Sequence, residues 1–145
     1  MKKVISGILC LVFLVFGAIS AQATAVSSAD LVDQNDPPMR LAYINTTVTN
    51  LVISSGQATS EGLASGYSGV TTKVTVALYL ERKTASASTW TTIASGSKTT
   101  NGHVGAHQLK TSVGTGYQYR VRAVYTAWSG TKSETLTSYS RVVTY

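Results

Sequence analysis

The sequence predicts an all-β fold, a single antiparallel β-sandwich of about seven strands. No stretch after residue 30 keeps the three-to-four-residue apolar spacing of a helix. Val, Thr and Tyr are abundant, and these side chains fit the pleated, half-buried surface of a sheet. Residues 73–82 and 117–128 alternate between a mainly apolar and a mainly polar face, and turn-forming residues separate the strand candidates at short, regular intervals.

The first 23 residues have the three parts of a secretory signal peptide. Two lysines follow Met1, residues 8–18 are apolar or small, and Ala21 and Ala23 form a small-x-small cleavage site, although Ala25 allows a cut two residues later. The apolar run is shorter than the roughly 20 residues that span a bilayer. We therefore expect cleavage and no transmembrane segment in the mature chain.

Cleavage at this site changes what the working protein contains. Cys10 is the only cysteine and lies in the apolar run, so the mature chain has no disulfide and no thiolate site. A cysteine-free exported protein is typical of a Gram-positive bacterium, so we expect a secreted, extracellular protein of that origin. Ten basic and six acidic residues remain, a net charge of +4. The basic residues are not clustered, which argues against nucleic acid as a partner.

Before the first strand, residues 24–40 are polar and contain Pro37-Pro38, and we expect them to form a flexible N-terminal arm. The sandwich domain would then occupy residues 41–145. Its first strand, 42–54, changes apolar parity near Asn50, which predicts a bulge there. A weaker strand, 57–67, is rich in small residues.

Five more strands and their turns follow from the same patterns. Residues 73–82 form the clearest strand, and Trp90 is a heavy residue of the next, 89–96. Asn101-Gly102 then indicates a hairpin turn, and 103–113 is a short strand near an edge. The last strands are 117–128 and 134–145, with a turn that begins at Gly130.

The C-terminal third resembles a fibronectin type III or immunoglobulin-like module. Residues 116–123 read Gly-Tyr-Gln-Tyr-Arg-Val-Arg-Ala, and Gly130, Ser133-Glu134 and Tyr139-Ser140 follow. In that family the corresponding stretch reads Tyr-x-Tyr-x-Val-x-Ala, then a Gly turn, then Ser. The resemblance implies a tyrosine corner, for which Tyr117 is the candidate by position. The usual Trp of the second strand is absent from 57–67.

A wider resemblance is to small exported Firmicutes proteins that carry a domain of unknown function. It depends on the signal peptide, Ala42-Tyr-Ile, Leu80-Glu-Arg-Lys83 before Trp90, and the C-terminal motifs just given. This resemblance implies a fold and an extracellular location, and it implies no activity.

No pattern indicates a catalytic, cofactor or metal site, and we expect a protein that is not an enzyme. The acidic motif 33–36 lacks the following Gly and the distal Glu of a calcium loop. His103 and His107 would lie about 13 Å apart on a strand, too far for one metal ion. There is no Gly-x-Ser-x-Gly elbow. The domain's carboxylates are expected on solvent-facing positions: Glu61, Glu81 and Glu134.

A surface patch is the remaining candidate for function. Tyr79, Arg120, Arg122 and Trp128 lie on the outward faces of two strands that are often neighbours in such sheets. They could bind an extracellular protein, a carbohydrate or a wall polymer, or they could simply decorate a solvated sheet face. The alternative function is a structural subunit that self-assembles through edge strands; a secreted toxin or inhibitor is a third, weaker alternative.

Overall fold

The computed structural model describes residues 41–145, so the predicted signal peptide, its cleavage residues Ala21 and Ala23, and the N-terminal arm lie outside the described residues. The described part contains strands and no helix. The eight strands are β1 (Ile44–Ser54), β2 (Gln57–Gly66), β3 (Lys73–Lys83), β4 (Thr91–Asn101), β5 (Val104–Ser112), β6 (Gln118–Ser129), β7 (Lys132–Tyr139) and β8 (Val143–Thr144).

The strands form two antiparallel sheets that pack as a sandwich, which confirms the predicted fold class. The smaller sheet has the order β1-β2-β5, and the larger has the order β4-β3-β6-β7, with β8 added beside the start of β6. β5 is an edge strand, as predicted, but the predicted hairpin at Asn101-Gly102 is wrong, because β4 and β5 belong to different sheets.

Eight strands form instead of about seven because the predicted last strand breaks at Ser140. This buried residue has left the β7 ladder, and its backbone N–H donates to the carbonyl of Val121 at 2.9 Å. Its hydroxyl in turn accepts the N–H of Val121 at 2.9 Å. One side chain therefore satisfies the backbone donor that a continuous strand would have paired.

The two best predicted strands, β3 and β6, pair along their whole length and supply most of the core. Their inward side chains are buried to 1% exposure or less, and their outward side chains are mostly half-buried. The inward set consists of Val74, Val76, Leu78, Leu80, Tyr119, Val121, Ala123, Tyr125 and Ala127.

The inward face of β2 carries small side chains, which allows the large core residues of the other sheet to approach it. Its buried residues are Ala58, Ser60, Gly62, Ala64 and Gly66. A Cβ atom at Gly62 would lie 2.8 Å from methyl carbons of Leu78 and of Val76, closer than real Cβ contacts allow. Side chains of the opposite sheet thus fill the space that a Trp on β2 would otherwise occupy.

Tyr125 crosses the sandwich and bonds to the smaller sheet. Its hydroxyl donates to the carbonyl of Val48 at 2.6 Å and accepts from the hydroxyl of Thr49 at 2.7 Å. Burial raises the pKa of the Tyr125 hydroxyl, and the hydrogen bonds to Thr49 and to the Leu63 backbone oppose that rise. The hydrogen bond to Tyr125 explains how the polar Thr49 can be buried at 5% exposure.

The predicted bulge near Asn50 is wrong. The register irregularity of β1 lies between Ile44 and Thr46, and from there Thr49 and Leu51 face inward while Val48 is 53% exposed. The apolar Val48 misled the parity count.

The tyrosine whose hydroxyl bonds back to an earlier loop is Tyr119, so its placement on Tyr117 is wrong. The Tyr119 hydroxyl donates to the carbonyl of Gly114 at 2.6 Å, and its ring is fully buried. Tyr117 precedes β6, its ring is half-buried, and the Arg82 guanidinium lies 4.6 Å from the ring centroid.

Glu134 joins the two sheets at the start of β1 instead of facing solvent. Its carboxylate accepts three consecutive backbone N–H groups, from Ala42 at 2.6 Å, Tyr43 at 3.3 Å and Ile44 at 3.1 Å. These donors precede the regular ladder of β1 or begin it, so they depend on a side chain for a partner.

Candidate functional site

The neighbouring positions of β3 and β6 bring three of the four predicted patch residues to one end of the larger sheet. Tyr79 is directly opposite Arg122, and Glu81 is directly opposite Arg120. The side chains of these two pairs all point away from the core, because successive side chains of a strand alternate between faces. The expectation that these two strands are neighbours is confirmed.

Glu81 is the centre of this arrangement. Its carboxylate accepts the Nε–H of Arg120 on Oε2 and the Nε–H of Arg122 on Oε1, each at 2.8 Å. Glu81 is only 6% exposed, so its predicted solvent-facing position is half right: it points outward, and the two arginines cover it. One carboxylate thereby orients two guanidinium groups through charge-assisted hydrogen bonds, which are stronger than bonds between neutral groups.

Aromatic rings hold the same two guanidinium groups from the side. The guanidinium carbon of Arg120 lies 4.4 Å from the ring centroid of Trp90 and 4.5 Å from that of Tyr139. The guanidinium carbon of Arg122 lies 4.0 Å from the centroid of Tyr79. Such contacts are within cation–π range. We call the resulting group the arginine cluster: Tyr79, Glu81, Lys83, Trp90, Arg120, Arg122 and Tyr139.

Lys83 adds a further positive charge to the cluster. Its Nζ lies 5.2 Å from the Trp90 ring centroid. With Arg120, Arg122 and the single acid Glu81, the cluster carries a net charge of +2. It is therefore an electropositive end of the sheet.

Trp128 does not join the arginine cluster. It shares the outward face of β6, but it lies six residues beyond Arg122, a separation of about 20 Å along a strand. Its ring is covered by Lys73, whose Nζ lies 4.3 Å from the ring centroid. The predicted patch thus divides into two aromatic and cationic ends.

Small side chains occupy the sheet face between those two ends. Two rows cross all four strands in register: Thr99, Thr75, Thr126 and Thr135 in one, and Ser97, Ala77, Val124 and Thr137 in the other. Hydroxyl pairs cross-link the threonine row, with 2.7 Å between Thr75 and Thr99 and 3.1 Å between Thr126 and Thr135. The middle of this face therefore carries small side chains, most of them with a hydroxyl group, and the aromatic and cationic side chains lie at its two ends.

The guanidinium groups of both arginines keep hydrogen-bond donors that Glu81 does not use. Within residues 41–145, the hydrogen bonds of both guanidinium groups are the two from Nε to Glu81. The arginine side chains remain 25% and 29% exposed. Each planar group therefore keeps Nη donors that solvent or a ligand can use.

Sequence reasoning missed three members of the cluster, Lys83, Trp90 and Tyr139. Trp90 was expected within a strand, but it lies just before β4, where a bulge opposite Leu80 and Glu81 shifts the register. Tyr139 comes from β7, and its position opposite Arg122 follows from strand pairing alone. The alternation of β7 could have placed Tyr139 on the outward face, whereas no local pattern places Trp90 over Arg120.

The other candidate residues do not form a site. His107 faces inward from β5 towards Gly96 on β4, and His103 is exposed before β5 begins. Among residues 41–145, no group of three or more His, Cys, Asp or Glu side chains could hold a metal ion. The acidic motif 33–36 lies outside the described residues. Within residues 41–145, the structure contains no apolar helix of membrane-spanning length.

Comparison with known proteins gives similarity of fold at low identity. No family model matches the chain, and no curated protein matches it. Among solved structures, it is similar to the sporulation control protein Spo0M of Bacillus subtilis, with 11% identity, a TM-score of 0.41, and coverage of 68% of this chain and 49% of that one. It is also similar to CsgH of R. palustris, with 12% identity, a TM-score of 0.37, and coverage of 63% and 87%. The chain thus spans about half the length of Spo0M.

Proposed function

We propose that this chain is a secreted, non-catalytic β-sandwich protein that binds a cell-envelope or extracellular partner through the outer face of its larger sheet. The observation that carries the proposal is the arginine cluster. Two arginines are held by one buried carboxylate and by three aromatic rings while their side chains stay 25% and 29% exposed. Side chains that are ordered before binding lose less conformational entropy when a partner arrives.

Location and family are part of the same proposal. The signal-peptide features of residues 1–23 and the cysteine-free mature chain support secretion from a Gram-positive bacterium. A fibronectin type III-like or immunoglobulin-like character is supported by the Tyr-x-Tyr-x-Val-x-Ala motif of β6 and by the bond from Tyr119 to Gly114.

Retention on isolated cell walls tests this function. We expect the mature protein to sediment with walls of a Gram-positive bacterium, and the double variant Arg120→Ala with Arg122→Ala to remain in the supernatant. The matched control is Lys98→Ala with Lys110→Ala, which removes the same charge from exposed positions outside the cluster. Circular dichroism would check that each variant is folded. Equal retention of the arginine variant and the wild type would refute binding through this face.

A second candidate function is self-assembly, and exposed apolar side chains on the smaller sheet favour it. Val48, Val52, Leu63 and Val104 are between 37% and 53% exposed, and they lie on β1, β2 and β5. β1 and β5 are the two edges of that sheet, where unpaired backbone groups can accept another strand. Light scattering that shows a strict monomer at high protein concentration would exclude this function.

A further inference from the structure

We propose that the arginine cluster is a binding site for an anionic group, a carboxylate or a phosphate, carried by the extracellular partner. This inference depends on the proposed function and names the chemical class of its ligand. The shared chemistry is an oxyanion that accepts hydrogen bonds from the Nη atoms of Arg120 and Arg122.

The geometry of the two arginines suits an oxyanion. They lie two residues apart on β6, about 7 Å along the strand, and both direct Nε to the same carboxylate. Their guanidinium planes are thereby held in place with Nη donors left over. A guanidinium group matches carboxylate and phosphate oxygens through parallel N–H bonds, which a lysine ammonium cannot reproduce.

The charge of the domain also favours an anion. Residues 41–145 contain nine Lys and Arg against three Glu, a net charge of +6. All three carboxylates already have partners: Glu61 accepts from Gln108, Glu134 accepts backbone N–H groups, and Glu81 holds the cluster. The excess positive charge therefore has no compensating acid within the described residues, and a polyanion would be attracted over a distance.

The aromatic rings of this face are less suited to a neutral sugar. A sugar stacks on the face of a ring, and a guanidinium group already lies over Tyr79, Trp90 and Tyr139 in the cluster, which reduces the ring surface left for a sugar. At the far end of the face, Lys73 occupies the same position over Trp128. The rings orient cations, and the cations are the groups presented to a ligand.

Titration calorimetry with three defined polymers tests the inference. The probes are poly-L-glutamate for carboxylates, polyphosphate for phosphates and dextran as a neutral polymer of similar length. We expect the mature protein to bind at least one polyanion and to leave dextran unbound. The preferred polyanion identifies the source of the oxyanion. Binding of neither polyanion, or of dextran equally well, would overturn the inference.

Matched variants separate the site from general charge attraction. The triple variant Glu81→Gln, Arg120→Gln, Arg122→Gln leaves no unpaired buried charge and lowers the net charge by only one. The control Lys98→Gln with Lys110→Gln lowers it by two. We expect the triple variant to weaken polyanion binding at least about tenfold and the control to weaken it less than about threefold. Equal weakening in both would overturn the site.

A conservative variant gives a second check. Arg120→Lys with Arg122→Lys keeps the charge and loses the planar donors, so we expect binding to fall by about fivefold or more. Undiminished binding by this variant would contradict recognition by guanidinium groups.

The two proposals fail separately. Wild-type protein that sediments with cell walls and ignores both polyanions would leave the proposed function standing and overturn the anionic ligand. Protein that binds a polyanion through Arg120 and Arg122 but is not retained on walls would support the ligand class and refute the envelope partner.

Discussion

Replacing Glu81 by Gln tests whether one carboxylate organises the arginine cluster. The substitution preserves the size of the side chain and one acceptor oxygen, but it removes the negative charge that both Nε groups contact at 2.8 Å. Arg120 and Arg122, which lie side by side about 7 Å apart along the strand, then have no counter-charge between them. We expect a folded but less stable protein.

The degree of burial sets the size of the effect. Breaking a fully buried ion pair costs about 3–5 kcal/mol, and an exposed pair is worth about 0–1 kcal/mol. Glu81 is almost fully buried, whereas the two arginine side chains are 25% and 29% exposed. An intermediate loss of about 2 kcal/mol follows, which lowers the Tm of a domain of this size by about 10 °C.

Urea unfolding followed by tryptophan fluorescence measures this loss, because Trp90 lies in the cluster. The control is Glu61→Gln, where an exposed bond to Gln108 is weakened and the free energy of unfolding should change by less than about 0.5 kcal/mol. In a background of Arg120→Gln with Arg122→Gln, Glu81→Gln should cost much less. A Glu81→Gln protein as stable as the wild type would refute the organising role of this carboxylate.

Other predictions concern the core. Tyr125→Phe should lower the free energy of unfolding by about 1–2 kcal/mol in chemical denaturation, because Thr49 and the Val48 carbonyl lose their partner. Gly62→Ala should cost about 1–3 kcal/mol by the same measurement, since its Cβ would overlap Leu78; an unchanged stability would show that the sheets can separate there. Because burial raises the pKa of the Tyr125 hydroxyl, the unfolded chain loses this proton at a lower pH than the folded protein does. The stability that this group contributes is therefore fully present below pH ~10 and is lost as the pH rises towards the folded pKa. Tyr125→Phe should reduce this alkaline loss of stability in unfolding curves measured between neutral and alkaline pH.

Much of the fold could be predicted because burial follows hydrophobicity along β3 and β6. Val and Leu face inward on β3, and their polar neighbours face outward, so periodicity alone assigns the faces. β1 departs from that rule, since Thr49 is buried and Val48 is exposed. The reason lies in Tyr125, 76 residues away from Thr49, whose hydroxyl satisfies the buried threonine.

The candidate site could be predicted only in part. Alternation placed Tyr79, Arg120 and Arg122 on outward faces, and strand pairing made them neighbours. The burial of Glu81 required the register of β3 against β6, which no local pattern supplies. The contact of Trp90 with Arg120 depends on the irregular connection between β3 and β4, where periodicity carries no information.

The hydrogen bonds between Glu134 and the start of β1 affect how the domain responds to mechanical force. Ile44 lies at one end of the β1–β2 hairpin, and Tyr145 bonds Gly56 at the other end, so the two limits of the described domain are at opposite poles. Tension applied between them runs along the strands and first loads three hydrogen bonds to a single carboxylate. Those bonds share the force, and β1 must shear against β2 rather than peel from it.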